Sequence, residues 1–589
     1  MTPTTIDPAA QTEIDRWLAG PYDDDTKAAI RQLQDSGNIA ELTDSFYRSL
    51  EFGTGGLRGI IGVGSNRMNR YTVGAATQGL ANYINRSVGP SAFPGEDVSV
   101  AIAYDSRRMS PEFARLVADI FSANGIKVYL FSSLRPTPEL SFAIRQLGCQ
   151  SGIVVTASHN PPEYNGYKVY WNDGAQVVAP HDKNIIEEVE KVQSIDDIKF
   201  VGDPNRIKLI DEEVDAPYIE RIKTNAVNPD VIARQAGMKI VYTPIHGTGI
   251  TMVPRALNAL GFTNVSIVEA QATPDGNFPT VKSPNPEERA AMQLALDQAL
   301  AQNADLILAT DPDADRVGAG ARNHHGEFEL LNGNQMASLI IFYLLRAWRD
   351  AGKLTGKEFV AKTIVTTDLI DRMCERAGVP CYNTLTGFKY IAQVIRELEG
   401  QQQFIAGGEE SYGYLIGDFV RDKDAIASCA MIAELTAYAK DQGLSLFDLL
   451  MEMYQEYGFY YEGLVSLTKK GKSGSEEIQQ MMADFRANPP KSIAGSEVIR
   501  IDDYKALTRM EGGQTNPIEA GKMGIESSNV LQFFTADGTK ISARPSGTEP
   551  KIKFYVSVNE PLNSKDEFDS VYASLKEKVQ RVIEDMNLK

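Results

Sequence analysis

A serine on a tight loop is the residue of this chain best placed for nucleophilic chemistry. Ser158 lies in the run Thr156-Ala157-Ser158-His159-Asn160-Pro161-Pro162, directly after the apolar segment 151–155. That segment is typical of a buried strand, and the two prolines end any regular element. Ser158 can act as a nucleophile if one neighbour activates its hydroxyl and another stabilises charge. On its own it could equally be a turn serine that caps backbone groups.

An acidic loop follows a second apolar strand, predicted at 305–309. Its sequence is Asp311-Pro312-Asp313-Ala314-Asp315-Arg316. Three carboxylates at this spacing would repel one another without a cation, and their oxygens suit Mg²⁺ or Ca²⁺. A solvated acidic turn is the other interpretation. An EF-hand is excluded because arginines stand where that loop needs glycine and glutamate, and because a strand precedes it.

The same loop also fits a different enzyme class. Asp313-Ala314-Asp315-Arg316-Val317 matches the DxDx[TV] pattern of phosphatases that form an aspartyl phosphate. In that interpretation Asp313 is the nucleophile of a magnesium-dependent phosphohydrolase, and Ser158 has no role in the chemistry.

Three further loops could bind a sugar phosphate. Glu409 and Ser411, in Gly407-Gly408-Glu409-Glu410-Ser411-Tyr412, suit sugar hydroxyls, unless this is a plain strand-end turn. The loop Arg544-Pro545-Ser546-Gly547-Thr548 could clamp a phosphate, or could be a polar turn. The glycine-rich loop 53–59 carries Arg58 and could cradle a phosphate or connect two elements.

Charge and composition narrow the class of ligand. The net charge of −19 over 589 residues argues against nucleic acid or an anionic membrane as partner. An anionic ligand would therefore need local positive charge, which is predicted on loops or strand edges beside these motifs at Arg58, Lys168, Arg316, Lys389, Arg421 and Arg544. Four cysteines without CxxC spacing, no visible signal peptide and no apolar run long enough to span a bilayer predict a cytoplasmic protein.

Alternating strand and helix patterns predict three similar mixed α/β domains with mostly parallel sheets. From about residue 456 the pattern favours an antiparallel α+β domain, with strands at 459–467, 530–534, 540–543 and 552–558 and a hairpin turn at Asp537-Gly538. The predicted domains are 1–211, which includes a helical N-terminal extension of about 50 residues, then 212–328, 329–455 and 456–589.

Four of these motifs, in this order, resemble the α-D-phosphohexomutase superfamily. They are Thr-Ala-Ser-His-Asn-Pro, Asp-Pro-Asp-Ala-Asp-Arg, Gly-Glu-Glu-Ser-Tyr-Gly and Arg-Pro-Ser-Gly-Thr-Glu-Pro. The run 165–176 is similar to the branch that holds bacterial phosphoglucomutases and phosphopentomutases. The resemblance extends from about Gly53 to the C-terminus and implies four domains around a central cleft.

The resemblance also implies roles for individual residues. Ser158 would carry a phosphoryl group and, with Asp311, Asp313 and Asp315, would hold Mg²⁺. Lys168 would be the general acid/base, with a pKa lowered by cationic neighbours, and His159 and Lys389 would support it. The substrate-binding residues would be Arg58, Arg316, Glu409, Ser411, Arg421, Arg544, Ser546, Gly547 and Thr548.

The implied reaction interconverts glucose 1-phosphate and glucose 6-phosphate through a phosphoserine enzyme and glucose 1,6-bisphosphate. The loop Gly-Glu-Glu-Ser-Tyr-Gly differs from the Gly-Glu-Met-Ser-Gly-His of members active on mannose and glucose phosphates, which favours glucose. Pentose and mannose phosphates stay open as substrates. We expect small sugar phosphates as the binding partners, a monomer with a dimer as alternative, and a mobile C-terminal domain hinged near 455–460.

Overall fold

The computed structural model describes residues 5–53, 55–88, 98–469, 471–521, 523–546 and 551–588, without the side chains of 471–473. The chain forms two compact units. The first comprises Met1–Gly320 and Gly413–Glu434, and the second comprises Ala321–Tyr412 and Leu435–Lys589. Among the described residues, no helix is both long enough and apolar enough to cross a membrane.

The first unit begins with the predicted helical extension. Its helices are α1 (Pro8–Ala19), α2 (Asp24–Asp35) and α3 (Ile39–Phe46). Each begins after a side-chain cap, from Asp7, Asp23 and Asn38 respectively, that accepts hydrogen bonds from first-turn N–H groups. The three helices bury a small aromatic core in which the Trp17 and Tyr22 rings stack with centroids 4.2 Å apart.

A six-stranded sheet follows, in the order β1-β5-β4-β2-β3-β6. Its strands are β1 (Gly56–Ile60), β2 (Ser99–Tyr104), β3 (Lys127–Phe131), β4 (Ser151–Val155), β5 (Tyr164–Trp171) and β6 (Ile207–Ile210). Strands β2, β3, β4 and β6 are parallel, whereas β5 runs antiparallel to both β4 and β1. The helices of this part are α4 (Arg70–Val88), α5 (Ser110–Ala123), α6 (Thr137–Gln146), α7 (His181–Glu190) and α8 (Glu212–Thr224).

The glycine-rich segment 53–59 is therefore not a loop throughout, and that prediction was wrong. Residues 56–60 form β1, and Arg58 pairs with Gly166 of β5. The glycine content misled the prediction because Gly56, with φ 134°, accommodates a close approach to β5: a Cβ there would lie 1.7 Å from the Tyr167 carbonyl oxygen.

The second sheet of this unit carries the acidic loop. Its strands lie in the order β10-β9-β7-β8 and are β7 (Ile240–Thr243), β8 (Val265–Ile267), β9 (Leu306–Thr310) and β10 (Val317–Arg322). Strands β7, β8 and β9 are parallel and β10 is antiparallel to β9. The helices are α9 (Pro229–Arg234), α10 (Gly249–Leu260), α11 (Glu269–Ala272) and α12 (Arg289–Gln302).

The second unit contains a third α/β sheet. In chain order the elements from here to residue 457 are β11 (Phe328–Leu331), α13 (Gly333–Asp350), β12 (Glu358–Thr363), α14 (Leu369–Ala377), β13 (Cys381–Thr384), α15 (Phe388–Leu398), β14 (Gln403–Gly408), β15 (Tyr414–Ile416), α16 (Ala425–Asp441) and α17 (Leu446–Tyr457). Of these, β15 and the part of α16 up to Glu434 belong to the first unit. Strand β12 lies between β13 and β14 and is parallel to both.

The C-terminal part of the second unit is an antiparallel sheet in the order β16-β23-β22-β21-β18-β19-β20. Its elements are β16 (Phe459–Thr468), α18 (Gly471–Ala487), β17 (Ser492–Ile493), β18 (Ser496–Asp503), β19 (Thr508–Glu511), β20 (Gln514–Pro517), β21 (Leu531–Thr535), β22 (Lys540–Pro545), β23 (Lys551–Glu560) and α19 (Phe568–Asp585). Three α/β sheets and one antiparallel sheet confirm the predicted fold class. The central cleft and the domain boundaries stay predictions.

Candidate active site

Ser158 lies just beyond the carboxyl end of β4, as predicted. Its backbone is left-handed, with φ 52°, and its N–H donates to Thr156 Oγ1 at 2.8 Å. Its hydroxyl donates to Asp311 Oδ2 at 2.8 Å and lies 3.1 Å from Nδ1 of His159. The hydroxyl is therefore bonded directly to the acidic loop, although the two residues are 153 positions apart in the chain.

Arg107 holds the backbone of the serine loop. Its guanidinium donates to the carbonyl oxygens of Ser158 at 2.6 Å, of Pro161 at 2.9 Å and of Tyr164 at 3.0 Å, and also to that of Asn160. The side chain is fully buried, which makes these charge-assisted bonds stronger than they would be in water.

The sequence interpretation missed Arg107, although a signal for it exists. It follows β2, which lies parallel to β4, so the segments after both strands emerge at the same edge of the sheet. Its buried partner is Asp105, whose Oδ2 lies 3.4 Å from Arg107 Nε. A charged pair directly after an apolar strand could have been placed beside Ser158 by the topology of a parallel sheet.

The acidic loop between β9 and β10 brings its three carboxylates together. Asp311, Asp313 and Asp315 are buried and offer oxygens within 4.8 Å of one another. Asp311 Oδ1 accepts the N–H groups of Asp315, at 3.1 Å, and of Arg316, at 3.0 Å, which folds the loop tightly. Gly247 packs against it, since a Cβ at that position would lie 2.5 Å from Pro312 Cα.

Two lysines lie against these carboxylates. Lys168 Nζ is 2.8 Å from Asp313 Oδ2 and 3.5 Å from Asp315 Oδ2, and Lys423 Nζ is 3.1 Å from Asp315 Oδ2. Burial acts to lower the pKa of Lys168, but Asp313 and Asp315 outweigh it and the pKa is raised. The expectation of a lowered pKa was therefore wrong, because the carboxylates of Asp313 and Asp315 outweigh both burial and the neighbouring Lys423.

The carboxylates differ strongly in their affinity for a proton. Burial and the neighbouring Asp313 and Asp315 raise the pKa of Asp311 well above its usual range. Burial acts in the same direction on Asp313, but contact with Lys168 holds the pKa of that carboxyl well below its usual range. Burial, together with Arg316 and Arg58, lowers the pKa of His159 to about 2.

Two carboxylate oxygens without hydrogen bonds among the described residues indicate that the acidic loop suits a cation. Asp313 Oδ1 and Asp315 Oδ1 are buried and have no hydrogen-bond partner within the described part of the chain. Buried carboxylate oxygens are costly in that condition unless something coordinates them. Hard oxygen donors converging at one strand end fit Mg²⁺, with Asp311, Asp313 and Asp315 as its ligands.

The predicted cationic residues of the first unit contact different partners. Arg58 Nη1 is 3.5 Å from Asn160 Oδ1 of the serine loop. Arg316 pairs with Glu287 at 2.6 Å and reaches within 3.9 Å of Asp315. Arg421 is buried and donates to the Asp418 carbonyl at 3.2 Å.

In the second unit the predicted sugar loop follows β14. Glu409 is buried and its Oε1 accepts the Gly387 N–H at 3.0 Å, just before helix α15. Lys389 lies in the first turn of that helix, with Nζ 4.9 Å from the Tyr390 ring centroid. Ser411 lies in a turn and is partly exposed. The loop therefore presents a carboxylate and a hydroxyl, but Lys389 is helical rather than on a loop as predicted.

The predicted phosphate loop follows β22. Arg544 lies near the end of that strand and pairs across the sheet with Lys553. It also hydrogen-bonds the Tyr555 phenol, whose pKa is raised chiefly by burial and further by Glu410 and Glu409. Arg544 and the sugar loop are thus close in space. Ser546 donates its N–H to the Lys551 carbonyl at 2.7 Å, and the other predicted residues of the loop, Gly547 and Thr548, lie outside the described residues.

A serine hydroxyl bonded to a convergent acidic loop, on a sheet edge lined by lysines, is the arrangement of a metal-dependent phosphoryl-transfer enzyme. Three family models match the chain, and they describe the alpha/beta/alpha domains I, II and III of phosphoglucomutase/phosphomannomutase, at residues 49–196, 216–324 and 332–457.

Known proteins are similar over nearly the whole length. A phosphoglucomutase of Staphylococcus haemolyticus is 40% identical over 92% of this chain and 96% of its own. One from Staphylococcus aureus strain MRSA252 is 36% identical over 95% of this chain and 97% of its own. The solved structure of parafusin, a phosphoglucomutase from Paramecium in its open form, shares the fold with a TM-score of 0.68 at 16% identity, covering 92% of this chain and 95% of its own.

The chain therefore belongs to the phosphoglucomutase/phosphomannomutase family, within the α-D-phosphohexomutase superfamily. The resemblance seen in the four motifs is confirmed, and so is the enzyme class, an isomerase that works by intramolecular phosphotransfer.

Proposed function

We propose that this protein is a phosphoglucomutase that interconverts α-D-glucose 1-phosphate and glucose 6-phosphate. The observation that carries the proposal is the bond from the Ser158 hydroxyl to Asp311 within the acidic loop. It puts a nucleophilic oxygen beside the one group of hard metal ligands that converges in the described residues of the first unit. The proteins named phosphoglucomutase that are similar to this chain over most of its length support the proposal.

The reaction we propose consists of two phosphoryl transfers. In the first, the bond between phosphorus and Ser158 Oγ breaks while the C6 hydroxyl oxygen of glucose 1-phosphate bonds to phosphorus and loses its proton. The product, glucose 1,6-bisphosphate, turns over in the site. In the second, Ser158 Oγ attacks the C1 phosphate, and glucose 6-phosphate leaves with a proton on its C1 oxygen. No phosphate is released to water in either step.

Residues of the first unit would assist both transfers. Asp311, Asp313, Asp315 and the phosphate on Ser158 would hold Mg²⁺, which withdraws charge from the group being transferred. Arg107 keeps the backbone of the serine loop fixed, so Oγ does not drift from the acidic loop. We assign the proton transfers to Lys168, which lies 2.8 Å from Asp313 and is 13% exposed, with His159 and Lys389 in support.

Residues of the second unit would bind the rest of the substrate. We assign the sugar hydroxyls to Glu409 and Ser411, and the phosphate that is not reacting to Arg544, Ser546, Gly547 and Thr548. The buried Glu409 carboxylate, held by the Gly387 N–H, supports a rigid hydroxyl acceptor. Arg58, Arg316 and Arg421 complete the proposed set of binding residues.

Glucose is the sugar that the loop favours. Tyr412 follows Ser411 with a left-handed backbone, φ 66°, and Gly413 comes next. The loop therefore lacks the histidine found in members active on mannose and glucose phosphates. Phosphopentomutase and phosphomannomutase activity are the alternatives within the family. We further propose a monomer with sugar phosphates as its small partners, in a reducing compartment such as the cytoplasm, which the four free cysteines support.

A coupled assay of wild type and Ser158→Ala tests the function. Each protein receives Mg²⁺, a trace of glucose 1,6-bisphosphate and, in parallel, glucose 1-phosphate, mannose 1-phosphate or ribose 1-phosphate. We expect glucose 6-phosphate to form fastest, only with wild type, and without free phosphate. Faster turnover of mannose or ribose phosphate would move the substrate assignment to the corresponding mutase.

The same samples distinguish the phosphohydrolase alternative. Free phosphate released by both wild type and Ser158→Ala would make Asp313 the nucleophile and overturn the mutase. The phosphoenzyme gives a second criterion, because hydroxylamine cleaves an aspartyl phosphate and leaves a phosphoserine intact. We expect a hydroxylamine-resistant phosphoenzyme that Ser158→Ala abolishes.

A further inference from the structure

Two histidines and an aspartate with no assigned role in the mutase reaction converge on the surface of the second unit. His324 and His325 lie in the turn before β11, and Asp569 lies in the first turn of α19. His324 Nε2 is 3.2 Å from an Asp569 carboxylate oxygen, and His325 Nε2 is 3.0 Å from Asp569 Oδ2. The chain has five histidines in all, so two in one site is a notable concentration.

The spacing of the three donor atoms matches a tetrahedral ion. Zinc binds imidazole nitrogen and carboxylate oxygen at about 2.0–2.2 Å, which puts neighbouring donors roughly 3.3 Å apart. The donors observed here lie at 3.0 and 3.2 Å, and all three lie within 4.8 Å of one another. An ion could enter with adjustments of side chains only, because the donor atoms already lie about as far from one another as the ligands of a tetrahedral ion.

Packing holds one of the imidazoles in place before any ion binds. The His324 ring stacks on Phe447 of α17 with centroids 5.7 Å apart, and lies edge-on to Phe568 at 5.2 Å. Its side chain is only 22% exposed, whereas His325 is 57% and Asp569 62% exposed. A fixed ligand lowers the entropy lost on binding, and the exposed pair leaves a fourth position open to water.

The donor set also indicates which ions would bind. Imidazole nitrogen suits Zn²⁺, Co²⁺, Ni²⁺ and Cu²⁺, whereas Mg²⁺ prefers oxygen and retains water. The site is therefore chemically distinct from the acidic loop. Its competitor is an ion-free arrangement in which both Nε2–H groups donate to the carboxylate.

We propose that His324, His325 and Asp569 form a binding site for a divalent transition metal of the zinc class. The ion would tie the 323–326 turn to the start of α19. Phe568, next to Asp569, stacks on Phe459 with ring centroids 4.8 Å apart, and Phe459 belongs to the predicted hinge at 455–460. A bound ion would therefore restrain the element that packs on that hinge.

Zinc titration of the full chain tests this site. The protein is stripped with a chelator, dialysed, and kept in excess Mg²⁺ so that the acidic loop does not compete. Zn²⁺ binding is then measured by calorimetry for wild type, His325→Asn and Asp569→Asn, with Glu577→Gln as control for loss of an exposed carboxylate from the same helix. We expect one saturable site whose affinity falls at least about tenfold in the first two variants and is unchanged in the control.

Two outcomes would overturn the site. The first is wild-type protein without saturable Zn²⁺ binding, which would leave only the ion-free hydrogen bonds. The second is equal affinity in all four proteins, which would assign the zinc to other groups such as the cysteines. Thermal unfolding adds a check on folding: Zn²⁺ should raise the wild-type midpoint by mass action and leave that of Asp569→Asn unchanged, while the midpoints without zinc agree.

Discussion

Two clusters of lysines and aspartates, one in each unit, use similar residues for different purposes. In the first unit Lys168 and Lys423 face the carboxylates of the acidic loop. In the second, Lys362 Nζ lies 2.9 Å from Asp371 and 3.5 Å from Asp368, within the third α/β sheet and the helix that follows. Lys540 also bonds Asp368 and donates to the Ile364 carbonyl at 3.2 Å.

The two clusters differ in the balance of charge and of hydrogen bonds. The second has two lysines for two aspartates, and each of these four residues has a bonded partner. The first has three carboxylates, and two of its buried oxygens have no hydrogen-bond partner within the described part of the chain. A surplus of buried acceptors costs stability, so it persists where a cation is bound during function. We predict that the balanced cluster, in contrast, serves stability rather than the reaction.

The largest effect should follow from Asp313→Asn in the unbalanced cluster. The change removes a metal ligand and the charge that faces Lys168, so we expect mutase activity to fall at least about a thousandfold. The free energy of unfolding measured without metal should stay nearly unchanged, because relief of the repulsion that raises the Asp311 pKa offsets the lost contact between Asp313 and Lys168. Coupled assays with Mg²⁺ and urea unfolding with chelator measure the two quantities.

Stability that falls together with activity in Asp313→Asn would contradict this comparison. It would mean that the three carboxylates stabilise the fold as they stand, like the balanced cluster. Asp305→Asn provides the control, since Asp305 directly precedes the same strand, β9, at its exposed start, where its carboxylate accepts the Lys239 N–H at 2.9 Å. We expect that variant to keep full activity.

Arg107→Lys should give the next largest effect, because Arg107 positions Ser158, the nucleophile that bonds Asp311 of the unbalanced cluster. A lysine cannot donate to four carbonyl oxygens in the plane of a guanidinium. The serine loop would then shift relative to Asp311, and we expect kcat to fall about a hundredfold with little change in KM. Steady-state kinetics on the folded variant measure the split. A lowered unfolding midpoint with unchanged kcat would assign Arg107 to stability alone.

These two residues also show what the sequence could and could not reveal. Asp313 was predicted as a ligand because three aspartates after an apolar strand need a cation whatever the fold. Arg107 was missed because its partners are backbone carbonyls some fifty positions away, and only the parallel pairing of β2 and β4 brings them together. The chemistry of neighbouring residues can be predicted from one segment of the sequence. Contacts between distant segments can be predicted only when the order and register of the strands are known.

The same limit explains the errors elsewhere in the chain. The direction of the Lys168 pKa shift was wrong because the prediction considered only cationic neighbours, whereas Asp313 and Asp315 of the loop between β9 and β10 contact the lysine. Strands β18 to β20 and helix α18 were not predicted, since their half-exposed residues alternate weakly and their pairing is antiparallel between neighbours. The strands with strong apolar patterns, such as β4 and β9, were placed within one or two residues.

A third arrangement sharpens the comparison further: a buried carboxylate with hydrogen bonds but no ion pair. Asp424 is fully buried and accepts from the Tyr218 hydroxyl at 2.8 Å and the Ile426 N–H at 2.9 Å. It forms no ion pair within the described ranges. Burial raises its pKa to about 6, although these hydrogen bonds oppose the shift.

The raised pKa of Asp424 predicts a pH-dependent stability. Between the ordinary carboxyl value and about 6 the folded state binds more protons than the unfolded state, so the free energy of unfolding contributed by Asp424 falls as pH rises from about 4 to about 6. A rise in pKa from the ordinary carboxyl value to about 6 corresponds to about 3 kcal/mol. We expect Asp424→Asn to lack this fall in urea unfolding at pH 4 to 7. Parallel pH curves for wild type and variant would show that Asp424 ionises normally.

The balanced cluster should respond to mutation in the opposite way from the acidic loop. Asp371→Asn removes the nearer partner of the fully buried Lys362, whose pKa Asp371 and Asp368 together raise against the effect of burial. Breaking a buried pair costs about 3–5 kcal/mol, but Asp371 is 35% exposed and Asp368 remains, so about 2 kcal/mol is a reasonable expectation. Activity per folded molecule should be unchanged.

Asp350→Asn, at a 64% exposed carboxylate, serves as the control and should alter neither stability nor activity. A loss of activity without a loss of stability in Asp371→Asn would mean that the second cluster, like the first, serves the reaction, and charge balance would then fail to distinguish structural from functional lysine–aspartate clusters in this fold.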